Sequence, residues 1–151
     1  MSRLNRYVPD LAVMGALCEG NYHKLHRLIR DWDRCHARRV TLSDHGQGLG
    51  QVELAVTEVC RYTNTVVARQ IRSAGRWLNN PEMVVRVYHD ARSAEVVSVA
   101  GHGRLHGYRT WPNPAMHLPD EKVQMNRFLA DWLSFCLQHG HHIETCSLAT
   151  Q

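Results

Sequence analysis

Two runs of β-branched residues on either side of a short polar segment, MVVRVYHDARSAEVVSVA from Met83 to Ala100, constrain this chain more than any other stretch. Such a pattern reads as strand, turn and strand. With period two, Met83, Val85 and Val87 point to one side while Val84, Arg86, Tyr88 and Asp90 point to the other. The first set is expected in a core and the second on a polar face. The turn carries His89, Asp90 and Arg92, with Glu95 just beyond, so a titratable cluster sits at the end of a rigid hairpin.

Helical patterns flank this β-rich centre. Leu11, Met14, Cys18, Tyr22, Leu25, Leu28, Ile29 and Trp32 recur at three and four residues, opened by Pro9 and Asp10, and predict one long amphipathic helix. Its other side bears Lys24, Arg27, Arg30, Arg34 and Arg38. Asp120 and Glu121 start a second helix whose apolar face is Met125, Phe128, Leu129, Trp132, Leu133 and Cys136, with Gly140 at its stop.

Between them, Val40 and Leu42 read as a short strand and Asp44 to Gly50 as a glycine-rich turn. Val52, Leu54 and Val56 form a half-buried strand that turns through Thr63 and Asn64 into Val66, Val67 and Ile71. The spacing GxGxG, followed by a strand, does not suit a phosphate-binding loop, which needs a helix there. Ser73 to Glu82 reads as a loop, Gly103 to Arg109 as a last strand, and TWPNPAMHLP as a surface crossing. HHIETCSLATQ, residues 141–151, is expected to be a flexible polar tail.

The order predicts an α+β fold, an antiparallel twisted sheet of four to six strands with the N- and C-terminal helices packed on one face. One domain is expected over 1–151, with its core in about 6–140. At 151 residues, 44% hydrophobic and 21% charged, the composition is that of an ordinary globular protein, without an apolar signal core or a membrane-length apolar run. A cytoplasmic location is the expectation. Five cysteines without a CxxC pair predict reduced, mostly buried thiols, Cys60 among them as a core residue rather than a nucleophile.

With these residues assembled, RYVPDL, LCEGNYHKLHRL, EVCRYTNTV, MVVRVYHDARSAEV, YRTWPNPAMH and DEKVQMNRFLADWLSFCLQHG resemble the YqiB-like family of short proteobacterial proteins, a family of unknown function. The match runs from about Arg6 to Gly140. The resemblance implies a single cytoplasmic domain. It also implies a gene neighbourhood of nucleotide-hydrolysing enzymes, but no reaction and no catalytic residue.

Three constellations then carry the chemistry. His89, Asp90 and Glu95 are the candidates for a metal-dependent or His/Asp phosphate-ester hydrolase. Glu58, Arg61 and Tyr62 at one strand end, with Arg86 and Tyr88 on another strand, would share a sheet face if those strands adjoin. There they would bind a phosphate or carboxylate through bidentate hydrogen bonds, or form a cross-strand ion-pair ladder. Lys24, Arg27, Arg30 and Arg34 are the candidate contacts to an anionic surface such as nucleic acid, in keeping with a formal charge of +4. His102, His106, His139, His141 and His142 lack the geometry of a metal site, and no cofactor is implied. Without a complete catalytic motif, the favoured reading is a non-catalytic binding or regulatory module. Its partner would be a protein or a nucleotide-like anion engaged through the polar sheet face, and a homodimer is compatible with it.

Overall fold

The computed structural model describes residues 11–73, 81–100 and 119–148. The expected helix start at Pro9, most of the Ser73 to Glu82 loop, the expected strand from Gly103 to Arg109 and the TWPNPAMHLP crossing lie outside these residues, as do His102 and His106.

Helix α1 spans Leu11–Leu28 and helix α2 spans Pro119–His139, with six strands arranged around them: β1 His36–Asp44, β2 Gln47–Val59, β3 Thr63–Ser73, β4 Glu82–Tyr88, β5 Ser93–Ala100 and β6 Gly140–Ser147. All pairings are antiparallel, in the order β5-β4-β3-β2-β1-β6. The fold is therefore the expected α+β architecture, with two helices against an open six-stranded sheet.

The core follows from the two periodicities. On α1, Cys18, Tyr22, Leu25 and Leu28 are buried, and on α2, Met125, Phe128, Leu129, Trp132, Leu133 and Cys136. They meet alternate sheet residues, among them Val40, Leu42, Val52, Leu54, Val66, Met83, Val85, Val87 and Val96, in one apolar cluster. Met83, Val85 and Val87 thus supply core as their alternation predicts. A few buried polar groups pin the layers together. Trp132 Nε1 donates to Gln70 Oε1 at 3.0 Å, and the edge-strand amide of Val96 donates to Asn126 Oδ1 at 2.9 Å. Asn126 Nδ2 in turn donates to the Lys122 carbonyl at 2.9 Å, so an α2 side chain covers part of the β5 edge.

Three expectations are corrected. Helix α1 stops at Leu28, short of Trp32, and the chain turns there through residues 29–35 into β1. Residues 141–147, part of the segment expected to be a flexible polar tail, belong with Gly140 to β6, which pairs with β1 from Leu42↔Gly140 to His36↔Ser147. Polar composition conceals this strand because nearly all its side chains face solvent, while its backbone satisfies the free hydrogen-bonding edge of β1. Finally, only Cys18 and Cys136 are buried, whereas Cys35 and Cys60 are exposed. Cys60 follows the last residue of β2 and belongs to the turn rather than to the core.

The Asp44 to Gly50 glycines also acquire a definite role. Asp44 pairs with Gln47, so the turn is the two residues His45 and Gly46, at φ 49° and 82°. Two left-handed residues in succession match the twist of a tight hairpin. Gly50, at φ 123°, lies by a register shift in both neighbouring pairings, and a Cβ there would run into the Arg72 carbonyl.

Candidate ligand cleft at one end of the sheet

The turn β2–β3, the turn β4–β5 and the connection from α1 to β1 all emerge at the same end of the sheet. Their backbones are tied there, since the His89 amide donates to the Tyr62 carbonyl at 3.0 Å. Trp32, Asp33, Val59, Cys60, Arg61, Tyr62, Asn64 and His89 enclose a cleft of about 290 Å³ between these segments.

The cleft floor is a hydrogen-bond chain whose proton positions are determined by its ends. Asn64, 2% exposed, directs its Nδ2 to the backbone carbonyls of Trp32 at 3.0 Å and Glu58 at 3.2 Å. Two carbonyl acceptors require the amide nitrogen at that position, so Asn64 Oδ1 is turned to His89 Nε2 at 2.6 Å. His89 therefore donates from Nε2. Its Nδ1 carries the lone pair and accepts from the Tyr22 hydroxyl at 3.1 Å. Burial lowers the His89 pKa below its ordinary value, against smaller upward pulls from Asp33 and Asp90. Burial likewise raises the pKa of Tyr22, which keeps its proton for this bond. This pairing is that of a neutral imidazole, the form that burial favours, and both of its nitrogens are engaged.

Aromatic contacts back the cleft residues Trp32 and His89. His26 lies between Tyr22 and Trp32, with ring centroids at 4.4 and 5.1 Å, and the Trp32 ring meets the His89 ring edgewise at 5.0 Å. Burial also lowers the His26 pKa, followed by the proximity of His89 and His23. At the rim, Val59 and Tyr62 are exposed, at 39% and 56%. The Arg61 guanidinium sits 5.2 Å from the Tyr62 ring centroid, and among the described residues no carboxylate pairs with it.

The candidate residues read from the sequence separate into groups. Strand β3 lies between β2 and β4, so the strands bearing Glu58 and Arg86 do not adjoin. Their side chains meet across it. Glu58, Thr65 and Arg86 are in register, and Glu58 Oε1 accepts from Thr65 Oγ1 at 2.7 Å and from the Arg86 guanidinium at 2.9 Å. The Thr65 hydrogen bond, and then the Arg86 charge, lower the Glu58 pKa. This is an ion-pair ladder. A second one joins Glu53 to Arg39 at 3.0 Å and to Arg69 at 2.9 Å. Tyr88 pairs with Thr63 of β3 and does not line the cleft, whereas Arg61 and Tyr62 do.

His89, Asp90 and Glu95 do not converge. Asp90 is exposed, and Glu95 is paired with Lys122 of α2 at 3.1 Å. Among the described residues no three His, Cys, Asp or Glu side chains are arranged to hold a metal ion. The basic stripe is likewise divided. Lys24 Nζ donates to the Ala130 carbonyl at 3.3 Å and Arg34 pairs with Asp31 at 2.6 Å, while Arg27 and Arg30 are exposed cations.

Tyr22, His26, Trp32, Asp33 and Asn64 were not legible as site residues. Tyr22 and Trp32 fit the apolar periodicity of the helix and were absorbed by it. Asn64 reads as a turn residue, where asparagine is common, but the structure places it in β3, one residue after the strand begins, with its side chain buried.

Residues 24–142 match the family described as "Protein of unknown function (DUF1249)". The chain belongs to this family. It is similar to the uncharacterized protein YqiB of Escherichia coli K12 and to its counterpart in strain O157:H7, each 41% identical over 137 residues that cover 91% of this chain and 95% of the relative. No solved structure matches the chain. The matched residues include β1 to β5, the cleft floor from Asn64 to His89 and all of α2. No helix of the described residues is long and apolar enough to cross a membrane.

Proposed function

We propose that this family member is a binding module whose ligand, a nucleotide-like anion, occupies the cleft at the sheet end. The observation that carries the reading is Arg61. Its guanidinium has no carboxylate partner among the described residues and lies on the Tyr62 ring, at the mouth of a cleft also walled by Trp32. Exposed aromatic surface beside a free guanidinium suits a planar ring bearing a phosphate. The ring stacks and the phosphate takes the fork of donors. Asp33 adds an acceptor for an amino or hydroxyl group.

His89 supports binding over hydrolysis. With its lone pair on the Tyr22 hydroxyl and its N–H on Asn64, neither ring nitrogen is free to take a proton from a substrate. The sheet-face arginines Arg39, Arg69 and Arg86 already have carboxylate partners, which supports a site at the sheet end over one on that face.

Titration of the protein with each of the four nucleoside monophosphates, followed by tryptophan fluorescence, tests this. Saturable quenching is expected, lost in Trp32→Phe. Arg61→Ala is expected to weaken binding about ten- to hundredfold, the worth of a charged hydrogen bond. Absence of saturable quenching with all four, or unchanged affinity in Arg61→Ala, overturns the reading.

A further inference from the structure

We infer that the nucleotide held in this cleft is one unit of a single-stranded nucleic acid, whose phosphates continue onto the end of α1. The inference rests on the cleft reading and adds what lies beside it. A volume of about 290 Å³ is at the small end of ligand sites, enough for a base and little more. A phosphate on Arg61 is therefore at the mouth, where a chain can continue.

The neighbouring surface supplies cations in the right place. His26 packs on Trp32 at 5.1 Å, and Arg30 lies in the connection that follows α1, two residues before Trp32. Arg27 lies in the last turn of α1. Both arginines are exposed and, among the described residues, neither forms an ion pair. Arg30 also lies close enough to Arg38 to depress that guanidinium's pKa, after the larger effect of burial, so positive charge accumulates here. The local acids do not cancel it. Asp31 is occupied by Arg34 at 2.6 Å, which leaves Asp33 on the cleft wall as an acceptor for base or sugar donors. Aromatic rings that stack a base, beside a line of cations that follows the backbone, form the general arrangement for single-strand binding.

Fluorescence anisotropy with a labelled eight-nucleotide single strand of mixed sequence, and competition by adenosine monophosphate, test this. The strand is expected to bind at least tenfold more tightly than the monophosphate. With Arg27, Arg30 and Arg61 each on a phosphate, log K should fall with log salt at a slope near −2, since each contact on a single strand contributes about −0.7. The exposed double variant Arg27→Ala/Arg30→Ala should bring the slope to about −0.7 and remove the advantage of the strand, with monophosphate binding unchanged. Equal affinities for strand and monophosphate, or an unchanged slope in the double variant, overturn the strand reading while the cleft reading stands. If neither probe binds, both are overturned.

Discussion

Substitution of Asn64 by aspartate tests the hydrogen-bond chain that underlies the cleft. The change is nearly isosteric, but it replaces the Nδ2 donor with a carboxylate oxygen. Asn64 is 2% exposed, and its Nδ2 serves the carbonyls of Trp32 and Glu58. Two bonds of about 1 kcal/mol net are lost, and a buried anion then faces two carbonyl oxygens, so a total of about 3 kcal/mol is expected. For a chain of this length that corresponds to a fall in Tm of roughly 6 to 12 °C. Urea unfolding followed by far-ultraviolet circular dichroism measures the loss directly. Nitrogen chemical shifts of His89 in the wild type give a second readout, with the proton expected on Nε2. Stability of Asn64→Asp within about 0.5 kcal/mol of wild type, or a proton on Nδ1, would refute the deduced orientation and the neutral, saturated state of His89 that depends on it.

Three further outcomes are expected. Tyr22→Phe removes the hydroxyl that favours neutral His89, so the His89 titration followed by NMR should move up towards its ordinary value, with a stability loss of about 1 kcal/mol. The pH dependence follows from the same groups. His89 and His26 have folded pKa values below their ordinary 6.5, so the unfolded chain binds more protons in that window and stability should fall as pH drops below about 6.5; a flat profile from pH 7 to 5 would contradict the partial desolvation of these rings. Gly50→Ala should destabilise by more than about 2 kcal/mol in urea unfolding, because its φ of 123° and the Arg72 carbonyl both exclude a Cβ, whereas Gly48→Ala, with open space around it, should cost far less.

Periodicity made the architecture legible. The alternation of Met83, Val85 and Val87 and the helical spacing of Met125 to Cys136 identify buried faces from residue type alone, because burial of apolar side chains dominates those elements. Where backbone pairing dominates, the same reasoning fails. Strand β6 is almost wholly exposed and exists because β1 has an unpaired edge, a fact about neighbours in space. Trp32 fits the helical pattern but lies beyond the helix, where it turns to the cleft.

The sequence by itself determined the α+β class, the core faces and the hairpin that carries His89. Local spacing and side-chain chemistry suffice for these. Only the tertiary structure decided what that hairpin does. It placed β3 between β2 and β4, turning the proposed sheet-face anion site into an internal ladder through Thr65. It also joined Tyr22, Asn64 and His89 from three separate elements and gathered three connections at one end of the sheet. Residues 67 and 25 positions apart meet there through hydrogen bonds that no sequence period encodes.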